Sequence, residues 1–442
     1  MVQIATDDRV GLRRVGIHAL ALVAVLGLAF SGMAAVPVAE MQAASEGEPG
    51  PSRLAATQAE LDLRRLPSAA SSSMLAPTQG ADQSQTLIGF NPILGLPHWL
   101  RTVHDAPLWS SADSAATSAG ILPAGAAYVK PLGPFVGSRV EIYFPGDADR
   151  QAAQAWVDTA AVVPSGVPPW IAASATSLAS SSTPDSALSA PPRHVGDAPA
   201  PDTTAVHIAI VDENSGQLLY GELPYTEVPQ ASTTKIATTI VALERSPDLS
   251  KRVRVTVSAT AMAARDGSST MGIEPGRSVA LDTLLHGMML PSGNDAAEQV
   301  AVALADSREQ YVEWMNQEAA ALGLKNTHFV NPSGMDSAGH YSSAYDMAMF
   351  ARYAMRNAAF RDLAASSRYT GDGFPMQNLN RFLDQYPGAD GVKIGYTDAA
   401  LKTIVASATH DGHRVYVSLM RSNDLVGDST SLFDWVWSNF TW

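Results

Sequence analysis

The sequence contains no cysteine. This absence excludes disulfide bonds, thiolate nucleophiles and cysteine-ligated zinc or iron–sulfur sites. Positive charge is also scarce, since 29 lysine and arginine residues stand against 43 aspartate and glutamate residues and the formal net charge is -14. An acidic chain repels phosphate backbones, and nucleic acid is therefore not expected as a partner.

Long apolar runs are absent as well, except at the N-terminus. There, three arginines precede an apolar stretch from Val15 to about Val38. A basic region, an apolar region and small residues near Ala34 are typical of a secretion signal. The stretch is also long enough to span a bilayer if it is not cut, with the arginines on the cytoplasmic side. Residues 1–43 are therefore predicted to be a signal peptide or membrane anchor, and the rest of the chain to act outside the cytoplasm, secreted or anchored.

Two segments contain few large apolar residues and are predicted to be connections. Residues 44–95 are predicted to be a flexible spacer, because such a composition cannot bury enough surface to offset the entropy lost on ordering. Residues 164–203, dominated by Ser, Ala and Pro, are predicted to be an exposed linker. These connections separate a small segment, 96–163, from a larger one, 204–442.

Aromatic and β-branched residues return in the small segment, in short runs separated by turn signals. Such runs indicate a small all-β unit. The segment resembles bacterial Src-homology-3-like domains, small barrels often attached to cell-wall enzymes, and the motifs that carry the resemblance are Trp99-Leu100, Ala106-Pro107-Leu108-Trp109, Leu122-Pro123-Ala124-Gly125 and Ala155-Trp156-Val157-Asp158. The resemblance implies binding of a cell-wall polymer or a spacer role. The same aromatic residues are equally compatible with filling a barrel core.

The larger segment has the patterns of an α+β fold, in which helices pack on an antiparallel sheet. Strand patterns occur near both of its ends and helical patterns lie between them. The strands are expected at Val206–Val211, Leu218–Tyr220, Thr403–Ala408 and Arg414–Met420, and two of the helices at Arg308–Leu322 and Tyr345–Arg356. The first two strands are expected to form a hairpin, and the last two to join at the turn Asp411-Gly412.

Lysine is rare, and one lysine has a serine three residues before it, in Ser232-Thr233-Thr234-Lys235. The apolar residues that follow indicate a helix, so that Ser232 and Lys235 lie on one face, one turn apart. A helix N-terminus favours a developing alkoxide, and a buried lysine near another cation can take the serine proton. The alternative is a chance motif on a surface helix.

Two further clusters carry polar groups suited to the same chemistry. In Ser292-Gly293-Asn294 a hydroxyl can relay a proton and a carboxamide can hold a peptide carbonyl, although an ordinary helix cap is the alternative. Before the strand Thr403–Ala408, Lys393 and Gly395 offer a cation for a carboxylate and a close backbone approach. The alternative for Lys393 is protection of a sheet edge against aggregation.

Together the three motifs, in this order, match the set found in penicillin-binding proteins and class A β-lactamases. Residues 204–442 resemble the D-alanyl-D-alanine carboxypeptidase family, the low-molecular-mass penicillin-binding proteins. Supporting stretches are Asn331-Pro332-Ser333-Gly334-Met335-Asp336, Gly339-His340-Tyr341-Ser342-Ser343-Ala344-Tyr345-Asp346 and Asn378-Leu379-Asn380-Arg381-Phe382-Leu383. The resemblance implies a catalytic domain of the β-lactamase/transpeptidase type.

The resemblance also implies a mechanism. Ser232 would attack the carbonyl between the two terminal D-alanines of a peptidoglycan stem peptide, with Lys235 as general base and Ser292 as proton shuttle. The substrate-binding groups would be Asn294, Lys393, Gly395, Tyr396 and Thr397. β-Lactam antibiotics would acylate the same serine, and no metal or organic cofactor is needed.

The sequence departs from the family at Ile394, where a threonine is usual. Either Thr397 compensates for the lost hydroxyl, or affinity for the carboxylate falls. A peptidoglycan endopeptidase of the same fold stays open as an alternative, as does an inactive wall-binding protein. A class A β-lactamase is disfavoured because Glu313-Trp314-Met315-Asn316 does not fit its Glu-x-x-Leu-Asn motif. His410 and His413 are expected at a hairpin tip and are weak candidates for a metal.

Overall fold

The structure, a computed structural model, describes residues 90–91, 96–125, 127–147, 149–168, 170–171 and 191–442. The predicted signal or anchor at 1–43 and almost all of the predicted spacer at 44–95 lie outside these residues. Within the described ranges, no helix combines the length and the apolar character needed to cross a bilayer.

The first part of the described chain contains only strands and a short 3-10 turn. The strands are β1 Phe90–Asn91, β2 Leu96–Pro97, β3 Trp99–Thr102, β4 Ala106–Trp109, β5 Ser118–Leu122, β6 Tyr128–Val136, β7 Arg139–Phe144, β8 Ala153–Asp158 and β9 Val162–Ser165. Seven of them form one antiparallel sheet in the order β5-β4-β8-β7-β6-β3-β9.

This sheet encloses a single apolar core. Along β4 and β8 every second side chain is buried, as in Ala106 and Leu108 and in Ala155 and Val157. Side chains from the first strands to the last belong to the same buried cluster. The sheet between Leu96 and Ser165 covers the segment predicted to be a small all-β unit. Its edge strands are β5 and β9, which do not pair with each other, and closure into a barrel stays a prediction. We call this part the β unit.

The rest of the chain forms an α+β unit. Its strands are β10 Arg193–His194, β11 His207–Asp212, β12 Leu218–Glu222, β13 Arg252–Arg254, β14 Ser278–Ala280, β15 Arg368–Gly371, β16 Phe374–Gln377, β17 Ala389–Thr397, β18 Leu401–His410, β19 His413–Ser422 and β20 Phe440–Thr441. Its helices are α1 Lys235–Arg245, α2 Ala259–Asp266, α3 Leu281–Met289, α4 Asn294–Leu304, α5 Arg308–Ala321, α6 Ala344–Ala354, α7 Ala358–Ala365, α8 Phe382–Gln385 and α9 Leu425–Asn439.

Five strands build the central antiparallel sheet, in the order β12-β11-β19-β18-β17. Both faces of this sheet are covered. On β19, Tyr416 and Met420 pack into the larger core with α1 and α3 to α7, whereas Val415, Val417 and Leu419 pack into a second core with α9. The strand order places β17 at an edge of the sheet. One face of β17 is directed toward the start of α1. The predicted α+β class with terminal strands beside initial strands is confirmed.

The segment predicted as a linker, 164–203, is partly described. Val162–Ser165 ends the β unit as β9, and β10 pairs with the C-terminal strand β20. Ile171 is buried in the larger core of the α+β unit. Residues 172–190 lie outside the described ranges.

A buried ion cluster joins the two units. Lys130 of β6 lies 2.6 Å from Glu244 at the end of α1 and 2.5 Å from Glu318 of α5. Tyr353 donates to the same Glu244 carboxylate at 2.6 Å. The indole of Trp99 donates to the main-chain oxygen of Ala321 at 2.7 Å. The β unit is therefore packed against the end of α1 that lies away from Ser232.

Candidate active site

The start of α1 brings a hydroxyl and an amine together. A 3-10 turn, Ala231–Thr234, carries the half-buried Ser232 and leads directly into α1, whose first residue is the fully buried Lys235. The Lys235 amine nitrogen Nζ lies 2.8 Å from Ser232 Oγ. The predicted pairing of these two side chains across one turn is what the structure shows.

Two further atoms hold the Lys235 amine. It donates to Asn294 Oδ1 at 2.7 Å and to the main-chain oxygen of Ser333 at 2.6 Å. Both oxygens can only accept, so they take two N–H groups. A neutral amine then has its lone pair left, and that lone pair is directed at the Ser232 hydroxyl. The geometry thus fits a base that receives the serine proton.

Burial favours this neutral form. The pKa of Lys235 is lowered well below its usual value, first by desolvation and then by repulsion from the nearby Lys393 ammonium. No hydrogen bond described for Lys235 involves a carboxylate. Its acidic neighbours Glu298 and Asp295 oppose the shift only through their longer-range charge.

The second motif lies on the tight connection between α3 and α4. Ser292 is buried and has a φ of +61°, a strained value for a residue other than glycine. A Cβ on Gly293 would come within 2.8 Å of the Gly287 oxygen, so the chain needs glycine there. Asn294 begins α4, and its amide donates to Ser268 Oγ at 3.2 Å. The carboxamide of Asn294 is thereby fixed while it accepts from Lys235.

The third motif lies on the edge strand β17. A Cβ on Gly395 would approach the Ser232 main-chain nitrogen to 2.7 Å and the hydroxyl of Thr403 to 2.7 Å. Only glycine allows this strand to lie so close to the serine. Lys393 is buried on the same face, donates to the oxygen of Ile394 at 3.0 Å, and has a pKa that burial lowers to about 7.

Tyr396 and Thr397 follow at the end of β17. The Tyr396 side chain is 60% exposed and its hydroxyl donates to Asp398. Thr397 Oγ1 donates to Asp336 at 2.7 Å and accepts from the main-chain nitrogen of Ala400 at 3.1 Å. The Thr397 hydroxyl hydrogen is therefore already engaged with a carboxylate.

Ile394, the departure from the family motif, lies on the other face of β17. It is directly opposite Ile404 in the ladder, and both pack into the core beside α9. Lys393 and Gly395 lie opposite Val405 and Thr403, on the face toward α1. The Ile394 side chain thus points away from Ser232.

Several residues that hold this arrangement have no role assigned by the sequence motifs alone. The buried Asn331 accepts at its Oδ1 from the main-chain nitrogens of Ser333, Gly334 and Met335, at 3.2, 2.7 and 3.2 Å. This turn aims the Ser333 oxygen at Lys235. A Cβ on Gly334 would overlap the Ala231 oxygen. The motif Asn-Pro-Ser-Gly was visible in the sequence, but its contact with Lys235 depends on the fold.

His340 supports the turn that precedes α1. Its Nδ1 accepts from the Val330 nitrogen at 2.9 Å, and its Nε2 lies 3.0 Å from Thr234 Oγ1 and from the Gln230 amide. Burial, with a smaller electrostatic contribution from the nearby His328, lowers the pKa of His340 to about 4. A neutral imidazole therefore holds both flanks of Ser232.

The other histidine candidates lie elsewhere. His410 and His413 flank the β18–β19 turn and stack on Trp437 and Trp442. His286 stacks on Tyr369 with ring centroids 3.6 Å apart. In the part of the chain that the structure describes, no group of three or more histidine or acidic side chains is arranged to hold a metal ion.

Comparison with known proteins agrees with this geometry. The D-alanyl-D-alanine carboxypeptidase family matches residues 194–423, more than half of the chain. D-alanyl-D-alanine carboxypeptidase DacB2 of Mycobacterium tuberculosis is 36% identical over 252 residues, which are 54% of this chain and 84% of that protein. DacF of Bacillus subtilis is 33% identical over 208 residues, and there the chain spans only 52% of the relative's length.

A solved structure shares the fold as well. The Streptomyces K15 DD-transpeptidase superposes with a TM-score of 0.51 at 29% identity, covering 55% of this chain and all of that one. The predicted β-lactamase/transpeptidase fold and the predicted serine peptidase class are thereby confirmed for the α+β unit. This chain belongs to the D-alanyl-D-alanine carboxypeptidase family of serine peptidases.

Proposed function

We propose that the chain is a serine carboxypeptidase that removes the last D-alanine from peptidoglycan stem peptides ending in D-Ala-D-Ala. The observation that carries the proposal is the Lys235 amine, held 2.8 Å from Ser232 Oγ by two oxygens that can only accept. This arrangement leaves the amine lone pair for the serine proton.

In acylation, Ser232 Oγ bonds to the carbonyl carbon of the penultimate D-alanine while Lys235 takes the hydroxyl proton. The tetrahedral oxyanion is stabilised by the main-chain N–H groups of Ser232 and Tyr396, each contributing about 3–4 kcal/mol. The carbon–nitrogen bond then breaks. Ser292 gives its hydroxyl proton to the departing amine and takes up the proton that Lys235 had accepted, so D-alanine leaves with a neutral amine and Lys235 is neutral again.

Substrate binding uses the groups around the serine. The amide of Asn294 orients the peptide, and the close approach at Gly395 admits the substrate beside β17. Lys393 receives the terminal carboxylate. The Thr397 hydroxyl, which donates to Asp336, would have to exchange that bond before it could donate to the substrate. A carboxylate partner supplies the opposite charge that the buried Lys393 ammonium lacks.

Deacylation reverses the roles. Water attacks the ester carbonyl while Lys235 takes one of its protons. When the carbon–oxygen bond breaks, Lys235 returns that proton to the departing Ser232 oxygen. β-Lactams acylate Ser232 in the same way. They act as covalent inhibitors, because the amine of the opened ring stays attached to the acyl-enzyme and blocks the approach of the hydrolytic water.

The rest of the proposal concerns the compartment in which the protein acts and the ligand of the β unit. We infer action outside the cytoplasm, with residues 1–43 as a secretion signal or a membrane anchor. For the β unit we infer binding of a wall polymer, supported by its resemblance to bacterial Src-homology-3-like domains and by its position beside the peptidase unit.

Intact mass spectrometry after penicillin treatment tests the nucleophile. The parent chain is expected to gain the mass of one penicillin, and Ser232→Ala is expected to gain none. Ser431→Ala, which removes a hydroxyl from the surface of α9, serves as the matched control and should be acylated like the parent.

Release of D-alanine from a stem pentapeptide, followed alongside, tests the reaction. Acylation without D-alanine release would separate penicillin binding from carboxypeptidase activity and would favour the endopeptidase alternative. Absence of both would remove the proposed function.

A further inference from the structure

A polar cavity lies between the β unit and the α+β unit, away from Ser232. Its volume is about 560 Å³. The cavity is lined by the loop after β7, the segment after β9, the end of α6, helix α7 and the start of β19. The lining residues that matter here are Gly146, Asp147, Trp170, Arg356, Arg361 and Arg414. We call this cavity the interdomain cleft.

The interdomain cleft and the serine lie at opposite ends of the central sheet. Arg414 is near the start of β19, whereas Met420 pairs with Thr403, beside Gly395. Six residues of extended chain separate Arg414 and Met420, a length of about 20 Å. The cleft therefore does not extend the substrate groove around Ser232.

Two guanidinium groups in the cleft have no carboxylate hydrogen-bonded to them among the described residues. Arg356 lies 4.1 Å over the Trp170 ring and makes one long contact, 3.4 Å, to the oxygen of Gly146. Its Nε is buried and has no hydrogen-bond partner there. Arg361 donates only to main-chain oxygens, those of Met355 and Arg356, at 2.7 and 2.9 Å.

Two of the other charged groups in the cleft are paired. Arg414 binds the Asp390 carboxylate through two nitrogens, and Arg150 binds Asp147. Glu213 accepts from the neutral Tyr416 hydroxyl, and Asp149 also lines the cleft. Arg356 and Arg361 therefore have acidic groups nearby, but among the described residues no carboxylate is hydrogen-bonded to either of them.

Burial of an unpaired guanidinium is unfavourable, and it lowers the pKa of Arg356 despite the nearby acidic groups. A planar oxyanion would supply what these groups lack. Guanidinium groups bind carboxylates and phosphates through paired N–H donors, and the side chains of Arg356 and Arg361 both line the cleft.

We propose that the interdomain cleft binds a ligand bearing a carboxylate or a phosphate, held by Arg356 and Arg361. This site is separate from the carboxypeptidase reaction and does not depend on it. Because both units line the cleft, a bound anion also joins them, and binding stabilises the full chain against unfolding.

Isothermal titration of the full chain tests the site, with inorganic phosphate, pyrophosphate and citrate as probes at constant ionic strength. One saturable site for at least one probe is expected, with a rise in melting temperature. Binding of phosphate and pyrophosphate alone would identify a phosphate ligand, and binding of citrate alone a carboxylate ligand.

The double variant Arg356→Gln with Arg361→Gln is expected to bind at least tenfold more weakly. The control is Arg368→Gln, which removes an exposed arginine of β15 and should bind like the parent. If the double variant folds poorly, Arg356→Lys keeps the charge but removes the planar pair of N–H donors, and it should still weaken binding. Absence of saturable binding in the parent, or equal binding in parent and folded variants, would overturn the proposal.

Discussion

A buried lysine lies at each end of helix α1, and the two lysines have opposite environments. At its start, Lys235 has only neutral hydrogen-bond partners. Near its end, about 14 Å along the axis, Glu244 receives Lys130 of the β unit, which also contacts Glu318. Lys235 is therefore buried without a carboxylate bonded to it, whereas Lys130 is buried between two carboxylates.

The difference shows how the fold can use a buried amine in two ways. Without a carboxylate, burial favours the neutral amine, and the pKa of Lys235 falls. With two carboxylates beside it, Lys130 becomes part of a packed ion cluster between the units. Burial also raises the pKa of Glu244, with the neighbouring Glu318 adding to the effect. One end of α1 thus serves chemistry, and the other joins the two units.

The largest expected effect comes from Lys235→Met. Loss of the general base should slow acylation by penicillin about 10³-fold or more. Stability should fall by no more than about 1–3 kcal/mol, because the Asn294 and Ser333 oxygens lose a donor but no charge is left unpaired. Stopped-flow acylation and urea unfolding measure the two quantities. Acylation within tenfold of the parent would contradict the role of Lys235.

The converse is expected of Lys130→Met. It leaves Glu244 and Glu318 buried without a cation, so the free energy of unfolding should fall by about 3–5 kcal/mol. Acylation of the folded protein should stay within about threefold of the parent. Adding Glu244→Gln and Glu318→Gln should restore part of the stability. Unchanged stability in urea would mean that the ion cluster does not hold the units together.

Lys393 should give activity an alkaline limit. Its ammonium form binds the substrate carboxylate, and its pKa of about 7 in the free enzyme means that this form is present below pH 7 and lost above it. We therefore expect kcat/KM to fall as pH rises through about 7. Lys393→Arg should remove that limit, because arginine stays charged.

Lys393→Met should lower kcat/KM by about 10–100-fold at pH 6, mostly through KM. The exposed Lys402 on the neighbouring strand supplies the control, and Lys402→Met should leave the pH profile unchanged. An alkaline limit that survives in Lys393→Arg would assign it to another group.

A smaller effect is expected from Asn331→Ala, which releases the turn that aims the Ser333 oxygen at Lys235. Acylation should slow by about tenfold, because a misplaced base transfers the proton less effectively. Asn316→Ala is the matched control, since Asn316 holds Phe329 in the preceding segment through similar bonds at 2.8 and 3.0 Å. Equal losses in acylation for both variants would indicate a general structural effect.

The smallest effect is expected from Ile394→Thr, which restores the family's usual residue. Because this side chain faces the core beside α9, acylation should change by less than about threefold, and stability should fall by about 1 kcal/mol. A tenfold gain in D-alanine release would instead show that the hydroxyl reaches the substrate carboxylate.

Much of the site was predictable because its motifs are local. A serine three residues before a lysine must share its helix face, and residues alternate between faces along a strand. The pairing of Ser232 with Lys235, and the shared strand face of Lys393 and Gly395, follow from these periods. The contact between the Ser333 oxygen and Lys235 did not, because it joins segments 98 residues apart.

The sequence by itself determined which chemical groups are available and which neighbours share a helix turn or a strand face. It contains no cysteine and only six lysines, and it places one of them, Lys235, three residues after a serine. The tertiary structure alone decided which charges surround each buried lysine. These charges come from residues far away along the chain. Lys393 adds to the desolvation that lowers the pKa of Lys235, whereas Glu244 and Glu318 form ion pairs with Lys130.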